Sequence, residues 1–406
     1  MSKLQELIQR LCPDGVEYKK LGEICKVVNA PKKLNKKDYQ DIGLYPIIDQ
    51  GKSMIVGYTN DRDVLLPAKE YVLFGDHTRN IKYYNGTFAQ GADGLKILIS
   101  KDIVLTRFLY YSMQCLTIED RGYNRHWSVV SPLPVPVPPL EVQEEIVRIL
   151  DRFDVYAAEL QAELQARKEQ YEYYRNLLLT FNPAGAAGEA DDEQEGCVTT
   201  RGGHSYPIHW KTMGEVGTFI RGNGLQKKDF TESGVGCIHY GQIYTYYGTF
   251  TTETKSFVSE EFAKKLRKAQ TGDLVIATTS ENVEDVGKAV VWLGKDEIAI
   301  SGDAYVYKHN QNPRYIAYLL QTDRFLAFKR MNVSGTKVTR ISGDSLAKYP
   351  IPIPPLELQE KIVAILDRFE TLVNDLSEGL PAEIAAVKEQ YEYYRNRLLT
   401  FKEKTA

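Results

Sequence analysis

The chain has 406 residues and a formal net charge of −3, with 43% hydrophobic and 26% charged residues, the composition of an ordinary soluble globular protein. No apolar run approaches the roughly 20 residues of a membrane span, and the opening Met1-Ser-Lys-Leu-Gln-Glu-Leu lacks the apolar core of a signal peptide. Cys12, Cys25, Cys115, Cys197 and Cys237 are odd in number and show no C-x-x-C spacing, which predicts a reducing, cytoplasmic setting.

Residues 1–133 read as a mixed domain of short strands and loops. Tyr45-Pro-Ile-Ile, Tyr71-Val-Leu-Phe and Leu95-Lys-Ile-Leu-Ile have strand composition, with Gly51, Gly75, Gly86 and Gly94 placed at turns. Val104–Gln114 has helical spacing. The segment is mildly basic, 19 Lys and Arg against 15 Asp and Glu.

Residues 134–182 begin Pro134-Val-Pro-Val-Pro-Pro-Leu-Glu-Val-Gln, an extended run whose last proline suits the first helical position. One long helix is predicted after it. Ile146, Leu150, Phe153, Ala157, Leu160, Leu164, Tyr171, Tyr174, Leu178 and Phe181 follow alternating steps of four and three, with only Arg167 out of character, as a coiled-coil seam does. The segment is acidic, 5 bases against 9 acids, and holds a tandem repeat, Ala158-Glu-Leu-Gln161 then Ala162-Glu-Leu-Gln165. Residues 183–205 read as a linker without periodicity, and the acids concentrated in 183–200 predict a mobile spacer.

Residues 206–349 repeat the plan of the first domain. Leu21-Gly-Glu-Ile matches Met213-Gly-Glu-Val, and Lys36-Lys-Asp-Tyr matches Lys227-Lys-Asp-Phe. Tyr71-Val-Leu-Phe matches Asp273-Leu-Val-Ile, and Arg107-Phe-Leu-Tyr-Tyr resembles Arg314-Tyr-Ile-Ala-Tyr. The loops between these blocks differ. Residues 201–349 are again basic, 20 against 15.

Residues 350–406 repeat 134–182. Pro350-Ile-Pro-Ile-Pro-Pro-Leu-Glu-Leu-Gln leads into Ile-Val-Ala-Ile-Leu-Asp-Arg-Phe369, as the first run leads into Ile-Val-Arg-Ile-Leu-Asp-Arg-Phe153. Lys168-Glu-Gln-Tyr-Glu-Tyr-Tyr-Arg-Asn176 returns as Lys388–Asn396. The second seam is Ile362, Leu366, Phe369, Val373, Leu376, Leu380, Ile384, Val387, Tyr391, Tyr394, Leu398 and Phe401. Two consecutive steps of four, Leu376 to Leu380 to Ile384, make a stutter, and Gly379 and Pro381 inside it predict a kink. Matching seams predict that the two helices pack on each other.

Two basic domains on acidic helices suit a polyanion held at two places. Polar loops offer the residues that contact duplex DNA: Arg bonds guanine, Asn or Gln bonds adenine, and Lys with Ser or Thr positions phosphate. In the first domain the candidates are Lys52 and Tyr58, then His77, Thr78, Arg79 and Asn80, then Arg125, His126 and Trp127. In the second they are Arg221, Asn223, Lys227 and Lys228; Tyr240, Gln242 and Tyr244; and Ser334, Thr336, Lys337, Thr339 and Arg340.

No catalytic pattern stands beside them. Arg221-Gly-Asn-Gly-Leu lacks the Lys and hydroxyl of a P-loop, and no Asn/Asp-Pro-Pro-Tyr/Phe motif of an amino-methyltransferase occurs. Pro13-Asp14 with Glu17 and Lys19 is too compressed for the acidic pair of a nuclease, and Cys237 with His239 has no second metal-ligand pair. No metal site is expected.

The twice-used proline run into Leu-Glu-x-Gln-x-x-Ile-Val-x-Ile-Leu-Asp-x-Phe, each closed by Tyr-Tyr-Arg-Asn-x-Leu-Leu, resembles the DNA-specificity subunits of type I restriction–modification enzymes. Val338-Thr-Arg-Ile-Ser-Gly-Asp-Ser-Leu, before the second run, is also similar to this family. The resemblance implies an α+β fold: two mixed α/β target-recognition domains separated by two long helices packed as an antiparallel coiled coil, a pseudo-twofold internal repeat. It implies a non-catalytic subunit that binds double-stranded DNA and two methyltransferase subunits, joined in the restriction form by restriction subunits. S-adenosylmethionine, ATP and Mg are then expected on the partners and no cofactor on this chain. A structural adaptor without DNA readout is the alternative.

Overall fold

A computed structural model describes residues 3–92, 94–181, 195–199, 205–335 and 337–404. Contacts divide the chain into two compact units, residues 1–162 with 382–406 and residues 163–381. The division runs through both helical segments. Each unit therefore contains one mixed domain, one half of its own helical segment and one half of the other.

In the first unit a six-stranded sheet has the order 25–28, 95–100, 65–75, 81–90, 45–48, 57–59. Its pairs are antiparallel except 45–48 with 81–90. The strand Leu65–Gly75 shows why the sheet holds. Alternate side chains point to opposite faces, and here both faces are covered. Val72 and Phe74 enter a core with Phe108, Leu109 and Met113 of the helix Thr106–Gln114 and with Val142, Ile146 and Leu150. Tyr71 and Leu73 enter a second core with Ile48, Phe88 and Ile97. Gly86, expected at a turn, lies inside the strand Ile81–Gln90 at φ +144°, beside a register shift between Leu66 and Lys69. A bulge needed the glycine there, not a reversal.

The second unit uses a five-stranded sheet, 217–221, 304–309, 274–277, 289–292, 250–251, and a four-stranded one, 256–258, 235–238, 298–300, 268–269. The same alternation recurs. Leu274 and Ile276 face the helix Pro313–Leu319 and the helix Leu356–Asn374, while Val275 and Ala277 face the core of Ile238, Val290 and Ile300.

Both proline runs are strands. Pro134–Val137 pairs antiparallel with Glu17–Lys20, and Pro350–Ile353 with His209–Thr212. Both sit at sheet edges. Strict alternation explains this tolerance: Val135 and Val137 point their N–H groups at the partner strand, and the prolines, which have none, point away.

The first helical segment is one helix of 40 residues, Leu140–Leu179. The second is not. It is two helices of 19 residues each, Leu356–Asn374 and Leu380–Leu398, so the expected kink is a full break. The Asp375 carboxylate accepts the N–H groups of Ser377 (2.7 Å) and Glu378 (3.2 Å), turning the chain. A side chain at Gly379 would place its Cβ 2.4 Å from the Thr371 carbonyl oxygen. The four extra residues of the second copy are absorbed in this turn, and Leu376, expected in the seam, is 83% exposed.

Residues 182–194 and 200–204, most of the expected linker, lie outside the described residues. Glu195–Thr199, expected to lack structure, is a strand paired with Ser205–His209.

Candidate nucleic-acid interface

Each mixed domain is fixed to a helix by the repeated motif. In Leu-Glu-x-Gln the glutamine is the working residue. Gln143, fully buried, accepts the Leu105 N–H (2.9 Å) and donates to the carbonyls of Ile103 (2.9 Å) and Pro138 (2.7 Å). Gln359, also fully buried, accepts the Asn312 N–H (3.0 Å) and donates to Pro354 O (2.8 Å) and Gln311 Oε1 (2.8 Å). One amide thus ties the start of a domain helix to the start of a spacer helix, twice.

The Asp of Leu-Asp-Arg-Phe makes the second tie. Arg107 Nε meets Asp151 at 2.7 Å and Nη2 meets Asp154 at 2.8 Å, with the Tyr111 hydroxyl 2.5 Å from Asp151 and 2.7 Å from Asp154. Arg314 meets Asp367 at 2.5 Å, with the Tyr318 hydroxyl 2.7 Å from Asp367 and 2.6 Å from Glu370. Burial pushes both tyrosine phenols and the Asp154 carboxyl above their ordinary values. In the sequence Arg107 and Arg314 match between the domains, and Asp151 and Asp367 recur in the repeated Leu-Asp-Arg-Phe runs. Their joint recurrence was the signal that could have paired them.

The seam residues divide by role. Ile146 and Leu150 are buried in the first domain's core and Ile362 and Leu366 in the second's. Helix-to-helix packing is aromatic: Phe153 lies 5.6 Å from Tyr394 and 6.3 Å from Tyr391, and Phe369 lies 5.6 Å from Tyr174 and 6.4 Å from Tyr171. The phenylalanine of one copy thus meets the closing tyrosines of the other, which requires an antiparallel arrangement. Leu160 is buried, and Leu164 packs at the edge of the second unit's core.

In the first domain, structure draws three candidate loops together. The backbone carbonyl of Gln50 accepts the Thr78 hydroxyl (2.5 Å) and the Asn80 amide (3.0 Å). Asp76, buried, accepts the Trp127 N–H (2.7 Å), and its carbonyl accepts the His126 N–H (2.8 Å). Arg79 is the one non-glycine residue at positive φ (+61°) among those described, and it bonds Asp120 (2.7 Å) and the Ile118 carbonyl (3.3 Å). One expected contact residue, His126, is corrected, and a second, Trp127, is partly buried. His126 is fully buried, with Nδ1 at the Asp76 carbonyl (2.9 Å) and Nε2 accepting the Arg121 N–H (3.3 Å). Trp127 packs on Phe74 at the edge of the core. Both hold the loop, and His126 has no exposed surface to offer DNA. Lys52 and Arg125 are exposed, and Tyr58 is half-buried in the strand Gly57–Thr59.

In the second domain several candidates already bond within the protein. Asn223 is committed on both sides, to the Lys265 carbonyl (2.9 Å) and the Arg267 N–H (2.7 Å). Gln242 caps the helix Tyr240–Thr245 by accepting the His239 N–H (3.0 Å) and donates to Ser256 (2.7 Å). The Tyr244 hydroxyl donates to the Thr279 carbonyl (2.9 Å), and the half-buried Tyr240 ring lies 4.6 Å from that of His239. Ser334 and Arg340 exchange backbone bonds (2.9 and 2.8 Å), and Thr339–Arg340 pairs with Thr279–Ser280. Arg221 donates to the Gly302 carbonyl (3.1 Å). Arg221, Lys227, Lys228, Lys337 and Arg340 remain exposed. Thr336 lies outside the described residues.

Burial pushes the Cys237 thiol up to about 12 and lowers His239, whose Nδ1 accepts the Gly241 N–H (3.2 Å). Among the described residues no group of three His, Cys, Asp or Glu could hold a metal, and no helix is long and apolar enough to cross a membrane.

Two unlike loop sets, each on the same clamped mount, define a recognition protein. Comparison with known proteins gives its family. Residues 13–169 and 207–386 match the type I restriction modification DNA specificity domain, and the chain belongs to that family. It is 30% identical over 420 residues to the EcoR124I/EcoR124II specificity subunit of Escherichia coli, covering 99% of this chain and 98% of that one. A Haemophilus influenzae type I restriction enzyme specificity subunit is 27% identical, covering 95% and 96%. The type I S subunit from M. genitalium shares the fold at TM-score 0.53, with 15% identity over 95% of this chain and 96% of that one. A chain of another type I R-M system does so at 0.55, with 17% identity over 95% and 98%. The protein is thus a DNA-recognition subunit, not a catalytic one, and an adaptor without DNA readout finds no support.

Proposed function

We propose that each recognition domain reads one half of a bipartite DNA target, and that the helical segments set the unread gap and seat two methyltransferase subunits. In the restriction form, restriction subunits join the complex. S-adenosylmethionine, ATP and Mg belong to those partners, and the complex works in the cytoplasm, where the chromosome is. The observation that carries this reading is the repeated clamp: Gln143, Asp151 and Arg107 in one unit, Gln359, Asp367 and Arg314 in the other, under loops that do not match. An invariant mount with variable loops suits one task performed on two sequences.

The test exchanges residues 206–349 for the second domain of another family member, co-expresses the methyltransferase subunit and maps methylated sites. One half-site should change while the other and the gap persist. Change in both halves would refute independent reading. The purified chain alone should transfer no methyl group and cleave no DNA, and methylation by it would sink the division of labour.

A further inference from the structure

On the edge of the first domain formed by the 50–52, 76–80 and 120–127 loops, most polar side chains are already used. Thr78 and Asn80 bond the Gln50 carbonyl, Arg79 bonds Asp120, and both ring nitrogens of His126 are occupied. The tip between Asp120 and His126 is different. Asp120 accepts the Gly122 N–H (2.8 Å), Gly122 turns the chain at φ +64°, and the Asn124 amide donates back to the Arg121 carbonyl (2.5 Å). Tyr123 is 83% exposed yet fixed, its ring stacked on His77 at 4.6 Å and 10°, with His77 Nδ1 3.2 Å from its carbonyl. Arg121 and Arg125 are exposed, and neither guanidinium has a partner among the described residues. The tip is therefore a rigid backbone carrying two free forks and one upright aromatic ring.

We propose that Arg121 and Arg125 read base edges of the first half-site, with Tyr123 giving the apolar contact between them. This rests on the DNA-specificity reading above. A guanidinium donates two parallel hydrogen bonds to guanine O6 and N7 in the major groove, and an apolar side-chain surface packs on a thymine methyl. Holding the loop beforehand leaves only side-chain freedom to lose on binding. Lys52, exposed on the neighbouring loop, is a compact charge suited to phosphate. Arg79, although a basic residue beside the tip, is excluded because Asp120 holds it.

The experiment co-expresses the full chain with its methyltransferase subunit and maps methylated sites for wild type and for Arg121→Ala, Tyr123→Ala, Arg125→Ala and Lys52→Ala. All four side chains are at the surface, so the fold should persist, and unchanged methylation of the second half-site sequence reports that it does. For the arginine variants, discrimination at one position of the first half-site should fall by about tenfold or more. Lys52→Ala should instead weaken binding to all sites equally and flatten its salt dependence. First half-site specificity unchanged in all three tip variants overturns the proposal, as does a purely uniform loss in both arginine variants. A wild-type complex that methylates no bipartite sequence overturns the DNA-specificity reading, and the proposal with it.

Discussion

The two units agree where the domain meets the helix and disagree where it faces outward. At the mount, a buried glutamine, an aspartate, an arginine and a tyrosine recur with nearly the same bonds. At the outer edge, the first unit presents a stacked His77–Tyr123 tip, and the second a Ser334–Arg340 bridge with Thr339–Arg340 paired to Thr279–Ser280. Buried polar groups must be satisfied together, so changing one member of the mount strands its partners. Exposed loop residues carry no such penalty. The difference separates what the fold must keep from what recognition can vary.

If the mounts are equivalent, the same substitution should cost the same in each. Gln143→Ala leaves the Leu105 N–H and two carbonyls unpaired around a new cavity, and Gln359→Ala does likewise at Asn312 and Pro354. Each should destabilise its own unit by about 3–5 kcal/mol, measured by urea unfolding with hydrogen exchange assigning the loss to one unit. A cost under about 1 kcal/mol in either would show that the glutamine is not the tie.

A smaller effect should separate the units. His309 ends the strand Ala304–His309, and burial lowers its pKa to about 4, with Nε2 unpartnered. Its counterpart by register is Ser100: Gly217 pairs with His309 as Cys25 pairs with Ser100. The folded pKa lies below the ordinary 6.5, so the unfolded chain takes up the proton first. Stability from this group is complete above 6.5, falls as pH drops toward 4, and changes no further below that. The loss is at most about 3 kcal/mol, from 1.36 kcal/mol per pKa unit. Unfolding of the second unit should weaken over that window and His309→Gln should reduce the slope, leaving the part due to His239, which burial also lowers. An unchanged slope in the variant would assign the effect elsewhere.

Much of this was legible in the sequence. The repeat, the proline strands, the long first helix and the matched domain frames follow from local pattern, because periodicity and missing N–H groups act over a few residues. Sites were less legible. The roles of Gln143 and Asp151 stay hidden because their partners, Leu105 and Arg107, lie some 40 residues earlier, and nothing local announces the pairing. His126 and Trp127 sat in a polar loop and looked like contacts; a buried Asp76 about 50 residues away claims the backbone of both. Tyr123 was passed over as one tyrosine among 27, since its exposure depends on the turn at Gly122. The break at Asp375–Gly379 was signalled by Gly379 and Pro381 but underweighted, because a repeat of the unbroken first helix argued for continuity.

Four residues distinguish the helical copies, and the second absorbs them in a turn built on Asp375 and Gly379. The tandem Ala158-Glu-Leu-Gln161 and Ala162-Glu-Leu-Gln165 contains neither glycine nor proline and lies inside an unbroken helix, with Leu160 buried and Leu164 half-buried. A third Ala-Glu-Leu-Gln unit after Gln165 should therefore extend the helix instead of breaking it. Four helical residues add about 6 Å and about 400°, a net rotation of roughly 40°. One base pair advances the duplex by about 3.4 Å and turns it by about 35°. The inserted length is worth one to two base pairs, and the added rotation is close to that of one. Both half-sites should be retained and the unread gap lengthened by one or two base pairs in the mapped methylation site, with stability nearly unchanged. An active variant with the original gap would show that this helix does not set the spacing.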